Sequence, residues 1–392
     1  MDLADSPLRD LVVVELASVL AGPSVGMFFA EHGARVIKVE PPGGDVTRRW
    51  HLASEDPADD RPAYFSAVNW GKESVVLDLT TGAGRAALHQ LVAHADVVVA
   101  SYRSDQAVRL GADAETLRAL HSGLIVLEVS GYGAGDDRAG YDAVIQAEAG
   151  FTHLNGSPDG PPTKMPVALV DVLAAHQLKE AALVALLARE RTGRGATVRV
   201  SLFDAAVASL ANQASNWLTA GVSPQRLGSA HPNIVPYGTL YATAAGDVVL
   251  AVGTDRQFAA LASVLGLGEM AADPRFATNA ARVRHRDALD ARLARALADR
   301  DRGSLLAALA VEGVPAGAVR DLPAVFRNAA PQRVLRDDEG HGAVRTVATA
   351  PPGIELAPPP VLGAHTRAVL RDLVGWSEGA LAGLGASRGR AH

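Results

Sequence analysis

Short apolar runs alternate with longer stretches of mixed polarity through the first half of the chain. The first two runs are Leu11-Val12-Val13-Val14-Glu15-Leu16 and Arg35-Val36-Ile37-Lys38-Val39-Glu40. Between them Ser18-Val19-Leu20-Ala21-Gly22-Pro23 leads into a helix-like stretch, and Pro41-Pro42-Gly43-Gly44 closes the unit. Strand, Gly-Pro turn, helix and strand in that order make a βαβ crossover, which parallel strands require. Pro23 suits a first helical turn, where a missing N–H has no intrahelical partner to lose.

The alternation continues. Strand-like runs recur at Ser74–Leu79, Asp96–Ala100, Leu124–Val129 and Thr197–Leu202, with a helix from Gly84 to Ala95 apolar at Ala87, Leu88, Leu91 and Val92. This pattern predicts a mainly parallel sheet covered by helices. A long helix is expected from about Val170 to Arg191, stopped by Thr192-Gly193-Arg194-Gly195, and Phe203 to Thr219 reads as another. Composition then shifts at the Gly/Pro/Ser/His-rich stretch from Gly221 to Pro236. Beyond it come a strand, Val248–Gly253, and helices around Gln257–Leu265, Arg284–Leu297 and Gly303–Val311. The expected organisation is therefore a large α/β domain over 1–220, a small α+β domain over 221–330, and a segment over 331–392 that returns to the large domain and ends in a helix from about Gly363 to Leu384.

Composition removes several function classes. A net charge of −6 argues against a nucleic-acid partner, which calls for a concentrated basic face. The absence of cysteine excludes disulfides, thiolate chemistry and thiolate-bound metal. No apolar run reaches the ~18 residues of a membrane span, and Met1-Asp2-Leu3-Ala4-Asp5 is acidic where a signal peptide would be basic. A cytoplasmic enzyme without membrane contact is expected. The histidines are scattered without a metal-binding spacing, so no metal is expected. The first turn has a single glycine, Gly22, where a dinucleotide fingerprint would have two or three, and this disfavours a nicotinamide enzyme.

The candidate chemistry centres on Asp171, flanked by Val170 and Val172 at the expected start of the long helix. A carboxylate there feels the positive end of the helix dipole and, in a dry site, is a competent nucleophile. An aspartate at a helix start is also commonly just an N-cap. The residues alone leave both uses open.

Ordered blocks across nearly the whole chain resemble the class III coenzyme A transferases, which include formyl-CoA transferase and carnitine CoA-transferase. They are Leu20-Ala21-Gly22-Pro23 with Val36-Ile37-Lys38-Val39-Glu40-Pro41, Gly71-Lys72-Glu73-Ser74, Arg109-Leu110-Gly111, Ser130-Gly131-Tyr132-Gly133, and Gly140-Tyr141-Asp142 with Gln146-Ala147. Arg191-Thr192-Gly193-Arg194-Gly195, Val235-Pro236-Tyr237-Gly238 and Pro360-Val361-Leu362-Gly363-Ala364-His365-Thr366 complete the set. The resemblance implies a Rossmann-like α/β domain with a smaller α+β domain in an interlocked homodimer. It also implies transfer of CoA from an acyl-CoA donor to a carboxylic acid acceptor, with CoA as substrate and no tightly bound cofactor.

Asp171 matches the family's catalytic aspartate, which carries CoA as an aspartyl thioester. Arg109 matches a CoA contact, Tyr141 an active-site tyrosine, and Ala21, Leu77, Tyr102, Arg103 and Leu110 lie at or beside matched positions. Lys38 and Arg48 are further phosphate candidates, and backbone N–H groups around Gly131-Tyr132-Gly133 are candidate oxyanion donors. Two departures stand out. Ala100-Ser101-Tyr102-Arg103-Ser104 replaces the family's Glu-Asn-Phe-Arg-Pro, and the glycine-rich loop of formyl-CoA transferase has no counterpart, which disfavours oxalate and formyl-CoA. The alternatives are an α-methylacyl-CoA racemase and a catalytically silent acyl-CoA-binding protein. The racemase pattern places a histidine where Tyr141 stands.

Overall fold

The computed structural model describes residues 6, 8–133, 135–136, 138–328, 331–347, 351 and 353–381. The expected helix over Gly363–Leu384 extends in part outside the described residues; within them it is helical over Thr366–Asp372 and is then interrupted around Gly375, at φ +79.

The larger of two compact units comprises 1–149, 166–209 and 330–392. Its sheet contains β1 (Val12–Leu16), β2 (Arg35–Glu40), β3 (Lys72–Val76), β4 (Val97–Ala100), β5 (Ile125–Ser130) and β6 (Thr197–Ser201). They run in the order β3-β2-β1-β4-β5-β6, with every neighbouring pair parallel. Helices cover both faces, so the inner strands bury Val13, Val14, Val36, Ile37, Val98, Val99, Val126 and Leu127 completely or nearly so. That two-sided burial is why they read as unbroken apolar runs rather than alternating ones. Strand order reverses between β1 and β4, and the crevice outside the carboxyl ends of strands at such a reversal is where open α/β sheets bind ligands.

Four helices bear on that crevice. They are α1 (Ala21–Glu31) after β1, α2 (Ser104–Leu110) after β4, α3 (Asp142–Glu148) after β5, and α4 (Leu169–Thr192). The last helix buries Val170, Ala174, Ala175, Leu178, Ala182 and Ala185, mostly small side chains that let it approach its neighbours closely. Gly193, at φ +67, ends it in a left-handed cap.

The smaller unit comprises 150–165 and 210–329. Its strands Tyr237–Thr243, Gly246–Ala251 and Ala316–Ala318 form an antiparallel sheet. Helices pack on it around Phe258, Leu261, Phe276, Leu289 and Leu293. The division differs from the expected 220/221 boundary in two places. Residues 150–165 join this unit because Gly228 N–H donates to the Gly156 carbonyl at 3.0 Å and Arg226 Nη1 to the His153 carbonyl at 3.2 Å. The single helix expected over Phe203–Thr219 is instead two, Leu202–Ala208 and Ala211–Ala220, with Ala211 at φ +48 between them. The units divide at 209/210, at that break.

The C-terminal segment docks on β3, the edge strand of the large sheet. His365 N–H donates to the Ser74 carbonyl, Ser74 N–H meets His365 Nδ1, and Val76 N–H donates to Thr366 Oγ1 at 3.0 Å. The Pro360–Thr366 block thus covers an otherwise unpaired strand edge.

Candidate active site

Two clefts open at the carboxyl ends of the parallel strands, both within the larger unit. One, of about 370 Å³, is lined by the turn after β1 (Ser18–Gly22), the segment after β4 (Ser101–Ser104, Gln106), the Val129–Gly131 stretch, Arg138–Asp142 and Asp171. The other, of about 360 Å³, is lined by the ends of β1 and β2, Leu77–Thr80, Arg49, Arg109 and Leu110. Ser18, Tyr102 and Gln106 line both. An elongated ligand passing between the clefts runs along these three side chains.

Asp171 lies in the first turn of α4 and is only 8 % exposed. It is not the cap of its helix. Asp142, at the start of α3, takes that role: its Oδ1 accepts from Val170 N–H at 2.8 Å and Asp171 N–H at 3.4 Å. Its Oδ2 accepts from Gln146 Nε2 at 2.8 Å. The cap is supplied by a neighbouring element, leaving the Asp171 carboxylate free for the cleft. Burial, reinforced by the nearby Asp142 charge, pushes the Asp171 carboxyl up to about 7. The helix dipole would act in the opposite sense; desolvation outweighs it.

The turn carrying Ala21 is under strain. Val19 has φ +69, a conformation that β-branched residues avoid. Ser18 N–H donates to Ser101 Oγ at 3.1 Å, tying the β1 turn to the β4 turn at the strand-order reversal. Opposite, Gly131 and Gly140 pass so closely that a Cβ on Gly131 would lie 2.6 Å from Gly140 Cα. Both positions must be glycine for the two backbone segments to cross.

The family model for CoA-transferase family III matches residues 8–366. The chain belongs to CoA-transferase family III. It is 40 % identical over 383 residues to a succinate–glutarate CoA-transferase of Agrobacterium fabrum, covering 94 % of this chain and 96 % of that protein. A succinyl-CoA–D-citramalate CoA-transferase of Chloroflexus aurantiacus is 34 % identical, with 97 % and 98 % covered. A solved CaiB/BaiF family protein from Brucella suis superposes with a TM-score of 0.80 at 40 % identity, covering 94 % of this chain and 99 % of that one. The protein is thus a transferase that uses CoA thioesters and acids as substrates.

In this transferase the clefts gather most of the residues the resemblance singled out. Ala21, Arg103, Tyr141 and Asp171 line the first cleft, Leu77, Arg109 and Leu110 the second, and Tyr102 both. Tyr141 is 62 % exposed, which rules out the reading of it as a core tyrosine. Lys38 and Arg48 require correction. Lys38 Nζ lies 2.9 Å from Glu15 Oε1, from Asp45 Oδ2 and from the Ala17 carbonyl, and its side chain is 1 % exposed. Although it borders the second cleft, its charge is already met by two carboxylates. Arg48 is buried too, donating to Glu40 at 2.7 Å and to the Pro360 carbonyl at 3.1 Å. Both cations are structural. Of the suggested oxyanion donors, Gly133 N–H is already held by Ser130 Oγ at 3.1 Å.

Sequence reasoning missed four contributors. Asp142 was visible only as part of a motif, because its partner amides lie on another helix. Gln106 and Ser101 have no periodic signal. Arg138 lies in an irregular segment, with its guanidinium 3.8 Å above the Tyr132 ring and 2.9 Å from Asp136. Among the residues lining the first cleft there is no histidine. Among the described residues no cluster of three or more His, Asp or Glu side chains is arranged to hold a metal, and no helix is long and apolar enough to cross a membrane.

Proposed function

We propose that this enzyme moves CoA from an acyl-CoA to a carboxylic acid by way of a thioester on Asp171. The observation that carries the reading is a buried carboxylate, relieved of capping duty by Asp142, in a cleft at the strand-order reversal. The Asp171 carboxylate attacks the acyl-CoA carbonyl, the C–S bond breaks, and CoA thiolate leaves beside a mixed anhydride. The thiolate then attacks the aspartyl carbonyl and releases the donor acid as a carboxylate. The acceptor carboxylate reverses these steps and leaves with CoA. Thioester replaces thioester, so the exchange needs little external driving force.

CoA would run from the second cleft to the first. The exposed guanidinium of Arg109, with Arg49, meets the phosphates. Leu77 and Leu110 supply an apolar wall, and Tyr102 and Gln106 flank the pantetheine arm where the clefts meet. Arg103 and Tyr141 border the thioester end with Ala21. Succinyl-CoA with a dicarboxylic acceptor is the first pair to assay, because the relatives named above are called succinate or succinyl-CoA transferases.

A racemase needs an acid and a base straddling the α-carbon, and the histidine-free lining favours transfer over that reading. We further propose an interlocked homodimer. Leu183, Val184 and Leu187 form an exposed apolar stripe on α4, a surface that a second chain would cover.

Mass spectrometry of protein incubated with succinyl-CoA tests the mechanism. A CoA adduct on the peptide containing Asp171, released by hydroxylamine, is expected. Transfer at a normal rate by Asp171→Ala would overturn it, as would α-deuterium incorporation into a 2-methylacyl-CoA without an acceptor. Sedimentation gives the oligomeric state, and a monomer would remove the homodimer.

A further inference from the structure

We infer that Asp142 is a positioning residue for the transfer reaction: it fixes the start of α4 through two backbone amides and sets a second carboxylate beside the nucleophile. The inference rests on the proposal that Asp171 carries CoA.

The geometry separates two tasks usually joined in one residue. A helix-start aspartate ordinarily spends its carboxylate on its own backbone N–H groups. Here the amides of Val170 and Asp171 are satisfied from outside by Asp142 Oδ1, and Asp142 is itself held by Gln146 through its other oxygen. Gln146 is completely buried and Asp142 nearly so. The Asp142 carboxylate is therefore confined, and the backbone that carries Asp171 is confined with it.

The charge has a second effect. Converting Asp171 from carboxylate to thioester removes its negative charge, which leaves on the released donor acid: carboxylate plus acyl-CoA gives aspartyl-CoA plus free carboxylate. Repulsion between Asp142 and Asp171 exists before this step and is gone after it. A second carboxylate next to the nucleophile thus raises the free enzyme relative to the covalent one and favours loading.

Few other groups oppose this. The first turn of α1 has no acidic residue and its last turn no basic one. Asp204, on the helix Leu202–Ala208, is bonded to Ser201 Oγ at 2.6 Å. Tyr64 is a further ionisable neighbour, its phenol raised by burial and by the Asp171, Asp142 and Asp45 charges. Arg103 and Arg138 border the same cleft, and both are exposed. Among the described residues no cation is in contact with Asp171.

The test compares Asp142→Asn, which keeps an acceptor oxygen for the two amides but loses the charge, with Asp142→Ala, which loses both. Asp142→Ser provides a second neutral cap should the Asn variant fold poorly. Each is loaded with succinyl-CoA at fixed free succinate, and the ratio of CoA-bound to free Asp171 is read by mass spectrometry. For the neutral cap we expect a ratio about tenfold lower, the factor corresponding to one pKa unit, with the acid limb of kcat/KM moved to lower pH. The melting temperature should stay near that of the parent. For Asp142→Ala we expect loss of both loading and melting temperature.

Unchanged loading and an unchanged pH limb in the folded neutral-cap variants would overturn the role of the charge. Unchanged kcat/KM in Asp142→Ala would overturn the positioning role. Failure of the parent enzyme to form any adduct would instead remove the reading on which the inference stands.

Discussion

Two buried carboxylates in the larger unit have opposite settings. Glu15, on β1, is fully enclosed, with Lys38 Nζ 2.9 Å from one oxygen and Lys72 Nζ 2.7 Å from the other. Even the helix beside it makes room, since a Cβ on Gly26 would come within 1.8 Å of Glu15 Oε2. Asp171, at the first turn of α4, has no cation in contact among the described residues and has another carboxylate at hand. The first arrangement removes a charge from play and locks β1, β2 and β3 together. The second leaves a carboxylate of raised energy facing a cleft. Burial alone does not mark a functional acid; burial without compensation does.

The largest expected effect comes from removing the uncompensated group. Asp171→Asn should lower transfer by at least about 10³-fold, the scale on which a covalent route is lost, measured as initial rates at saturating donor and acceptor. The compensated group should matter for the fold instead. Glu15→Gln leaves two buried ammonium groups short of a partner and should cost about 3–5 kcal/mol in denaturant unfolding. A variant that unfolds normally would erase the distinction between the two carboxylates.

Stability should move the other way at the site. The folded Asp171 carboxyl titrates near 7 against an ordinary 3.8, so the folded state holds its proton more tightly than the unfolded state. Its contribution therefore falls as pH rises from about 4 to about 7, and above that range it is a net cost. Asp171→Asn should be more stable than the parent by about 2 kcal/mol at pH 8, which is roughly half of the titration shift after discounting the burial of the amide. At pH 4 the gain should vanish. Equal unfolding free energies at pH 8 would show that Asp171 is better solvated than its position implies.

The same titration sets a pH profile. Only the ionised carboxylate attacks, so kcat/KM should fall about tenfold per unit below pH 7. A limb near pH 4 would mean that substrate entry does not meet a raised carboxyl. The smallest expected effect is at the strand-order reversal: Ser101→Ala removes one backbone-to-hydroxyl bond and should cost about 1 kcal/mol, seen as a small fall in melting temperature.

Much of the fold was legible along the chain. Parallel strands buried on both faces leave continuous apolar runs, which made β1, β2, β4 and β5 visible; β3 lies at Lys72–Val76, earlier than the expected Ser74–Leu79, and β6, Thr-Val-Arg-Val-Ser, is half-buried and alternating. The long helix was equally plain, because Gly193 marks its end. The divided helix over Leu202–Ala220 was not legible, because Ala211 gives no sign of a left-handed backbone. Nor was the membership of residues 150–165, which depends on bonds to Arg226 and Gly228 far along the chain. Lys38 and Arg48 misled for a related reason: a cation in a strand or turn looks free until its partners are known.

The order of residues by itself determined the crossover units, the position of Asp171 at a helix start, and the set of blocks that identifies the family. These are local or collinear properties, written in periodicity and spacing. Only the tertiary structure decided which charges are spent and which remain available. Whether Lys38 meets Glu15, or Asp142 caps the helix that carries Asp171, depends on elements that come together after folding. An electrostatic environment is a sum over neighbours in space, and no neighbour in the chain reveals it.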